Sequence, residues 1–354
     1  MKRVGQNTII NDTVSLKFTR KIAEGGMGSV YEAQQLGTEG FEKTVAIKML
    51  LRELADETFA ELFVAEAKLV ANLVHENIVQ IYQLGRIDSE YYIVMEYVHG
   101  ISLGDFLQRH RFYNMHLPEE LAVFLVSRIA RGLAYAHKRQ DRKGNPLNIV
   151  HRDVCPHNIL ITTEGLPKLA DFGVAKAANT ALLDDKYVVG KYLYMAPEQG
   201  QRKHVDFRAD IFALGAILFE LLSYQPIRDP DAVTGRASDL VKEIPWDLLP
   251  KKIPKTLISI LKKMLAINGE DRYQDTNVMA RALEYYIYRD GYGPTIQTLE
   301  DYLRKYFDYL YVPDGQTPSS DPGVSTLPAA WPKTNRPKTR GEEMEETRAM
   351  DPPE

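Results

Sequence analysis

Residues 149 to 160 read Ile149-Val150-His151-Arg152-Asp153-Val154-Cys155-Pro156-His157-Asn158-Ile159-Leu160, and Leu169-Ala170-Asp171-Phe172-Gly173 follows. Asp153, Asn158 and Asp171 place two carboxylates and one carboxamide in a fixed order along the chain. Oxygen donors of these types bind Mg²⁺, and a further carboxylate can accept the proton of a hydroxyl group. Phosphoryl transfer needs both functions. We therefore expect Asn158 and Asp171 to hold a metal ion and Asp153 to act as the catalytic base.

A glycine-rich turn between two predicted strands reads Ile22-Ala23-Glu24-Gly25-Gly26-Met27-Gly28-Ser29-Val30. Glycines lack side chains, so backbone N–H groups can approach phosphate oxygens closely. Because a glycine hairpin is often only a turn, this segment is a weak signal on its own. Lys48, on the next predicted strand, faces inward and supplies the fixed cation that phosphate recognition needs. Glu66 lies on the apolar stripe of a predicted helix, where a carboxylate is costly without a partner, so we expect it to pair with Lys48.

The patterns along the chain predict two lobes. Residues 14–98 are mostly strand-like with one helix, whereas helical stripes dominate beyond Gly100. This order predicts an α+β, bilobal fold with a small five-stranded β lobe plus one helix and a larger, mainly helical lobe. Beyond residue 312 the chain is rich in Pro, Thr, Lys and Glu without apolar periodicity, which predicts a disordered tail. The expected segments are an N-terminal extension (1–13), the small lobe (14–98), the large lobe (99–290), a C-terminal helical extension (291–312) and the tail (313–354).

The C-terminal helical extension carries an apolar stripe at helical spacing. The stripe consists of Leu299, Tyr302, Leu303, Tyr306, Phe307 and Leu310. It predicts a helix that packs on the large lobe, with dimerisation through the same face as the alternative.

The bulk composition limits the classes of function. The chain of 354 residues has Lys+Arg 44 against Asp+Glu 48, a net charge of -4, so it lacks the basic excess that nucleic-acid binding needs. The one cysteine, Cys155, excludes an intrachain disulfide and is compatible with a reducing compartment, so we expect a cytoplasmic location. The longest apolar run, 211–222, is interrupted by Glu220 and is too short to span a bilayer, so no membrane segment is expected in this chain.

These motifs resemble the protein kinase family. The chain also carries Met195-Ala196-Pro197-Glu198, Asp210 at the head of an apolar helix, and Arg272 late in the domain, and the likeness covers roughly residues 16 to 290. The sequences of the glycine-rich turn and of Tyr194 to Gln199 resemble those of bacterial serine/threonine kinases, particularly the kinases of myxobacteria. Tyrosine kinases usually differ in both substrate loops. The resemblance implies transfer of the γ-phosphate of ATP to Ser or Thr of protein substrates, with Mg²⁺ or alternatively Mn²⁺, and self-association for autophosphorylation.

The resemblance also implies individual roles. Arg272 pairs with Glu198, and Asp210 braces the catalytic loop. Met95-Glu96-Tyr97-Val98 resembles the hinge, so the Glu96 carbonyl and the Val98 N–H are expected to bond adenine, with Met95 as gatekeeper. The expected nucleotide contacts are Ile22, Ala23, Glu24, Gly25, Gly26, Met27, Gly28, Ser29, Val30, Ala46, Lys48, Met95, Glu96, Val98 and Leu160.

Three positions depart from the family pattern. Ala23 replaces the first glycine of the turn, and Cys155 stands where a lysine normally contacts the transferring phosphate. Loss of one such electrostatic contact typically costs about 10²–10³ in rate, which makes a nucleotide-binding pseudokinase acting as a scaffold the alternative function. Lys191 replaces a threonine in the loop before Ala-Pro-Glu, and we expect it to restore the missing charge; the alternative is a solvated loop lysine. The expected catalytic set is Asp153, Lys48, Glu66, Lys191 and Asn158.

The loop between Gly173 and Ala196 holds the expected regulatory site. In the family, the arginine before the catalytic Asp pairs with a phosphorylated residue of this loop, a role that falls here to Arg152. Thr180 is the favoured acceptor among the hydroxyl residues of the loop, which also include Tyr187, Tyr192 and Tyr194.

Overall fold

The computed structural model describes residues 9–11, 15–25, 28–50, 57–87, 90–172, 190, 192–200, 205–234 and 236–312. For residues 10, 11, 25, 57–60, 62 and 66 it describes the backbone alone. All structural statements below concern these residues.

An antiparallel sheet and one helix form the small lobe. The described strands are β1 (Ile9–Asn11), β2 (Ser15–Gly25), β3 (Gly28–Leu36), β4 (Glu42–Leu50), β5 (Ile81–Ile87) and β6 (Glu90–Glu96), and the helix is α1 (Glu57–Val70). Their order in the sheet is β1-β2-β3-β4-β6-β5. The five expected strands are thus present, and the short β1 adds a sixth at the edge. It comes from the segment expected to be an N-terminal extension, where Ile9 and Ile10 supply the β-branched side chains that favour strand pairing.

Strand β4 is buried on both faces, and this positions Lys48. Successive side chains of a strand point to opposite faces. Val45, Ile47 and Met49 belong to one apolar cluster with Phe18, whereas Leu50 packs on the other face in a cluster with Phe63 and Ala67 of α1. The alternation therefore places Lys48 on the same face as Leu50, which is the face covered by α1.

Helices dominate the large lobe, together with a small sheet. Strands β7 (Gly100–Ser102), β8 (Ile159–Thr162) and β9 (Pro167–Leu169) pair in the order β7-β8-β9. The described helices are α2 (Leu103–Phe112), α3 (Glu119–His137), α4 (Pro197–Gly200), α5 (Arg208–Ser223), α6 (Lys255–Met264), α7 (Thr276–Tyr288) and α8 (Ile296–Tyr306). Helix α5 is buried from Ala209 to Leu222, as expected for a helix that is apolar on all sides. Among the described residues no helix is long and apolar enough to cross a membrane.

Strand β9 joins the two lobes. Leu169 N donates to Asn77 O at 2.9 Å, and Val79 N donates to Leu169 O at 2.9 Å. The buried Asn77 also donates from Nδ2 to Pro167 O at 2.8 Å. These bonds fix the strand that leads directly into Asp171.

The C-terminal stripe forms a helix and a turn. Helix α8 ends because Phe307 leaves the helical conformation, with φ -135 and ψ 40, and a 3-10 turn follows at Asp308–Tyr311. The Phe307 ring is buried and stacks on Phe106 with centroids 4.9 Å apart. Burial of this ring on α2 accounts for the break in the predicted helix. The Tyr311 hydroxyl then donates to Thr163 O at 2.6 Å, so the segment lies against the large lobe.

Candidate active site

Lys48 and Asp171 form an ion pair between the lobes. Lys48 Nζ lies 3.0 Å from Asp171 Oδ1, and the lysine residue is only 7% exposed. Asp171 has φ 56, a left-handed conformation that is uncommon for residues other than glycine. Glu66 lies on α1, but its side chain is outside the described residues, so its pairing with Lys48 stays a prediction.

Asn158 orients the predicted catalytic base. It ends a 3-10 turn at Pro156–Asn158, and its Nδ2 donates to Asp153 O at 2.7 Å and to Asp153 Oδ2 at 3.0 Å. Both bonds use the amide nitrogen, so the side-chain oxygen of Asn158 is the atom that can bind a cation. Ala170 N donates to Asn158 O at 2.8 Å, which brings Asn158 beside the segment that carries Asp171.

His151 connects the same two segments. Its Nε2 lies 3.0 Å from Ala170 O, and Asp153 N donates to its Nδ1 at 3.3 Å. A carbonyl accepts and a backbone N–H donates, so the neutral imidazole with its proton on Nε2 satisfies both bonds. The His151 ring also packs on Phe172, with centroids 4.6 Å apart. The contacts of His151 and Asn158 hold Asp153 and Asp171 in one arrangement.

Asp210 supports a strained turn of the catalytic loop. Arg152 has φ 65, which for a non-glycine residue persists only when the surrounding structure enforces it. The buried Asp210 carboxylate accepts bonds from His151 N and Arg152 N, both at 2.8 Å. His137 Nε2 lies 2.9 Å from Asp210 Oδ2. The position of Asp210 therefore matches the bracing role implied by the resemblance.

Arg272 and Glu198 form a bidentate pair. Arg272 Nη1 donates to Glu198 Oε1 at 2.6 Å, and Nη2 donates to Oε2 at 2.9 Å. Carbonyls of Ala266, Arg208 and Ile267 accept further bonds from the guanidinium. With its donors occupied, the buried Arg272 ties α4 to the segment before α7.

The predicted phosphate-binding turn joins β2 and β3. Gly25 pairs with Gly28, and Gly26 and Met27 between them lie outside the described residues. A Cβ atom on Gly28 would lie 2.4 Å from Met49 O, so only glycine allows β3 to approach β4 this closely. The hairpin continues through the pairs Ala23–Val30 and Glu24–Ser29. Ile22, a further predicted nucleotide contact, is 43% exposed.

The predicted adenine contacts come from both lobes. Val30 pairs with Lys48 across β3 and β4, and Ala46 pairs with Met95 across β4 and β6. Leu160 lies on β8 in the large lobe, where it pairs with Ser102. Glu96 ends β6, and Val98 follows it before β7.

Lys168 is a neighbour of the hinge that sequence reasoning missed. Its Nζ lies 2.9 Å from Glu96 Oε1, and Gln80 N donates to Glu96 Oε2 at 3.2 Å. The Glu96 carboxylate is therefore engaged on the side of β9. The signal in the sequence was a lysine inside the buried strand Pro167–Leu169, which needs a partner.

A second missed cluster lies beneath the catalytic loop. The Tyr194 hydroxyl donates to Glu220 Oε2 at 2.6 Å, and Arg111 forms an ion pair with the same carboxylate. Burial raises the pKa of Glu220 above its ordinary value and raises that of Tyr194 well above 10. Glu220 interrupts an apolar run, which was the available signal for a buried carboxylate. Cys155 and Tyr194 line one small cavity with Asp153.

Several predicted residues lie outside the described part of the chain. They are Gly26, Met27, Lys191, Thr180, Tyr187 and the tail 313–354. Among the hydroxyl residues of the regulatory loop, Tyr194 is buried and bonded to Glu220.

Known proteins similar to this chain are kinases. The family described as protein kinase domain matches residues 16–283. Tyrosine-protein kinase MasK of Myxococcus xanthus is 42% identical over 298 residues, which are 82% of this chain and 46% of MasK. Serine/threonine-protein kinase PrkC of Bacillus subtilis is 36% identical over 270 residues, which are 74% of this chain and 39% of PrkC. The chain thus spans less than half the length of these curated relatives.

The same likeness appears in solved structures. The crystal structure of the PknI kinase domain of Mycobacterium tuberculosis is similar, with a TM-score of 0.60 and 26% identity over 79% of this chain and 98% of that domain. The family match includes both lobes and the residues of the site, from the glycine-rich turn to Arg272. The chain therefore belongs to the protein kinase domain family.

Proposed function

We propose that this chain transfers the γ-phosphate of ATP to serine or threonine hydroxyls of protein substrates, including its own. The observation that carries the proposal is the arrangement of Lys48, Asp153, Asn158 and Asp171, which hydrogen bonds hold side by side between the lobes. Serine/threonine-protein kinases among the relatives support this acceptor and favour an active enzyme over a pseudokinase scaffold.

The oxygen donors at the site fit Mg²⁺. Asp171 offers a carboxylate, and Asn158 offers the amide oxygen opposite the nitrogen that bonds Asp153. Mg²⁺ is usually held by one or two protein carboxylates together with substrate phosphates and waters. No larger cage of three or more His, Cys, Asp or Glu exists among the described residues. When bound, the ion neutralises charge on the phosphate oxygens; Mn²⁺ accepts the same ligands and is the alternative.

The nucleotide is placed by the small lobe and the hinge. Lys48 and the glycine-rich turn would bind phosphate oxygens, while Val30, Ala46 and Leu160 would enclose adenine and Met95 would limit its depth. Glu96 N donates to Gln80 O at 2.8 Å and its carboxylate binds Lys168, and these bonds fix the residue whose main-chain carbonyl is proposed to bond the base. The Val98 N–H completes the pair of adenine bonds. Glu66 steadies Lys48 from α1.

Asp153 positions the acceptor hydroxyl and takes its proton. The bond from Asn158 Nδ2 to Asp153 Oδ2 orients the carboxylate that is proposed to accept the proton of the incoming hydroxyl. Asp210 keeps the loop in the strained conformation that presents this carboxylate. The contribution of these residues is positioning, which is the main demand of phosphoryl transfer.

Position 155 lacks the cation that kinases normally place there. We propose that Lys191 supplies this charge from the substrate loop. Lys191 lies outside the described residues. The support for the proposal is that positions 155 and 191 both differ from the family pattern and are expected to lie in contact. Cys155 is buried beside Asp153 and Tyr194, in keeping with a small side chain accommodated in the loop.

Transfer to tyrosine is the second candidate function. The observation that favours it is the name of MasK, a tyrosine-protein kinase that is 42% identical over 82% of this chain. Phosphoamino acid analysis of the products separates the two, because the acceptor residue is identified directly.

The test of the function is transfer of labelled γ-phosphate to the chain itself and to a generic protein acceptor. We expect Lys48→Met and Asp153→Asn to abolish transfer. The matched controls are Lys43→Met, on the same strand but exposed, and Asp141→Asn, also exposed, and both should retain it. Absence of transfer by the wild-type chain with either metal ion would contradict the proposal and support a scaffold.

Protein substrates are the proposed partners, and self-association the proposed route to autophosphorylation. A rate per molecule that rises with enzyme concentration would support transfer between two copies, whereas a constant rate would favour transfer within one. We also propose a cytoplasmic location, because the single cysteine, Cys155, is compatible with a reducing compartment.

A further inference from the structure

Arg228 is a buried cation that the proposed mechanism does not use. It follows helix α5 and is only 6% exposed. Its guanidinium lies over the ring of Phe212, 5.5 Å from the centroid. Burial lowers the pKa of Arg228 to about 10, so the side chain stays charged at neutral pH. A buried charge is costly, so its hydrogen-bond partners indicate its role.

The described hydrogen bonds of Arg228 all go to main-chain carbonyls. Nη1 donates to Tyr192 O at 2.6 Å and to Leu193 O at 3.1 Å, and Nη2 donates to Leu240 O at 3.1 Å. The nearby Asp239 carboxylate accepts instead from Thr234 N at 2.7 Å and from Arg236 N at 3.2 Å. The rigid fork of an arginine can hold several carbonyls at once, which a lysine ammonium or an apolar chain cannot do in the same geometry.

The carbonyls of Tyr192 and Leu193 belong to the segment that faces the catalytic base. The next residues, Tyr194 and Met195, line a cavity together with Asp153. Further along, Gln199 Nε2 donates to Arg152 O at 3.0 Å. Residues 192–199 are therefore fastened to the catalytic loop at one end and to Arg228 at the other.

We propose that Arg228 is a positioning residue for the protein substrate, acting through the backbone of residues 192 and 193. This inference rests on the proposed function. Because Tyr194 and Met195 line a cavity with Asp153, an acceptor hydroxyl at Asp153 lies next to this segment, and the conformation of the segment affects binding of the acceptor. The described hydrogen bonds and ring contact of Arg228 lie within the large lobe, away from Lys48 and the hinge, so we expect nucleotide binding to be independent of it.

The experiment compares Arg228→Met and Arg228→Lys with the wild-type chain, with Arg281→Met as the control for loss of an exposed arginine. We expect Arg228→Met to raise KM for the protein acceptor by about tenfold while KM for ATP stays within about twofold. Arg228→Lys, which keeps one donor group, should restore part of the loss. Amide hydrogen exchange at residues 192–194 should accelerate in Arg228→Met and remain unchanged in Arg281→Met.

Two results would overturn the inference. One is a folded Arg228→Met variant with unchanged acceptor KM; the other is an equal rise in KM for acceptor and ATP, which would indicate a general loss of structure. If Arg228→Met does not fold, the two KM values and the amide exchange rates are measured on Arg228→Lys instead, and the same two results would overturn the inference. If the wild-type chain transfers no phosphate, the proposed function fails, and the exchange rates at residues 192–194 alone decide whether Arg228 holds this segment.

Discussion

Acidification should destabilise the large lobe through His110. The residue is 1% exposed, and its ring stacks on Tyr302 of the C-terminal helix, with centroids 5.8 Å apart. Nδ1 lies 2.7 Å from Phe106 O, which can only accept, so Nδ1 carries the proton and Nε2 accepts from the Tyr302 hydroxyl at 2.8 Å. Burial, with smaller effects of Arg109 and Arg111, lowers the pKa of His110 from 6.5 to about 4.

The sign and size of the effect follow from proton linkage. Because the pKa of His110 is lower in the folded chain, the unfolded chain binds the proton first. The contribution of His110 to the free energy of unfolding is therefore fully present at pH values above its ordinary pKa of 6.5. It is lost as the pH falls toward 4. The lowered pKa corresponds to about 3 kcal/mol in total, and about 2 kcal/mol of this should disappear between pH 7.5 and pH 5.

Urea denaturation at the two pH values measures this loss. The reference is the double variant His110→Phe/Tyr302→Phe, which keeps both rings against Phe106 and leaves no buried hydroxyl without a partner. We expect the wild-type chain to lose about 2 kcal/mol more than the double variant on acidification. Equal losses in the two proteins would refute the argument, because His110 is the one group titrating between pH 7.5 and pH 5 that the double variant lacks.

Three further predictions concern the contacts around the catalytic loop. Arg272→Met should lower the free energy of unfolding by about 3–5 kcal/mol in urea denaturation, because it breaks a largely buried ion pair; a loss below about 1 kcal/mol would contradict this. Asp210→Asn should reduce kcat by about 10²-fold in the phosphate-transfer assay with ATP KM little changed, because the loop is misplaced; unchanged kcat would exclude bracing. Tyr194→Phe should cost about 1.5–3 kcal/mol of stability by removing a hydrogen bond to the Glu220 carboxylate, and thermal unfolding against an exposed Tyr285→Phe control measures it.

Much of the site could be predicted from residue order and spacing. The order of Asp153, Asn158 and Asp171 indicated a metal ion and a catalytic base before any fold was known. The two-residue period of β4 indicated an inward Lys48, and the structure places it 3.0 Å from Asp171. The position of Lys48 could be predicted because strand alternation relates neighbours in sequence to neighbours in space, whereas the metal-binding and base roles stay predictions.

Long-range partners of buried groups could not be read in the same way. Glu220 marked a buried carboxylate, but its partners Arg111 and Tyr194 come from distant parts of the chain. The partners of Lys168 and Arg228 could not be predicted either, because nothing local indicates which carboxylate or carbonyl a folded chain will bring to them. Phe307 continues the helical stripe in sequence but turns out of the helix to bury its ring on Phe106.

Local sequence pattern was therefore sufficient to predict the two lobes, the strand that carries Lys48 and the order of the proposed catalytic side chains. Packing of the whole chain determined the partners of Glu96, Tyr194 and Arg228 and the end of helix α8. The physical reason is that a buried polar group must find a hydrogen-bond partner, yet any compatible group can serve, and only the packed structure selects which one lies within reach.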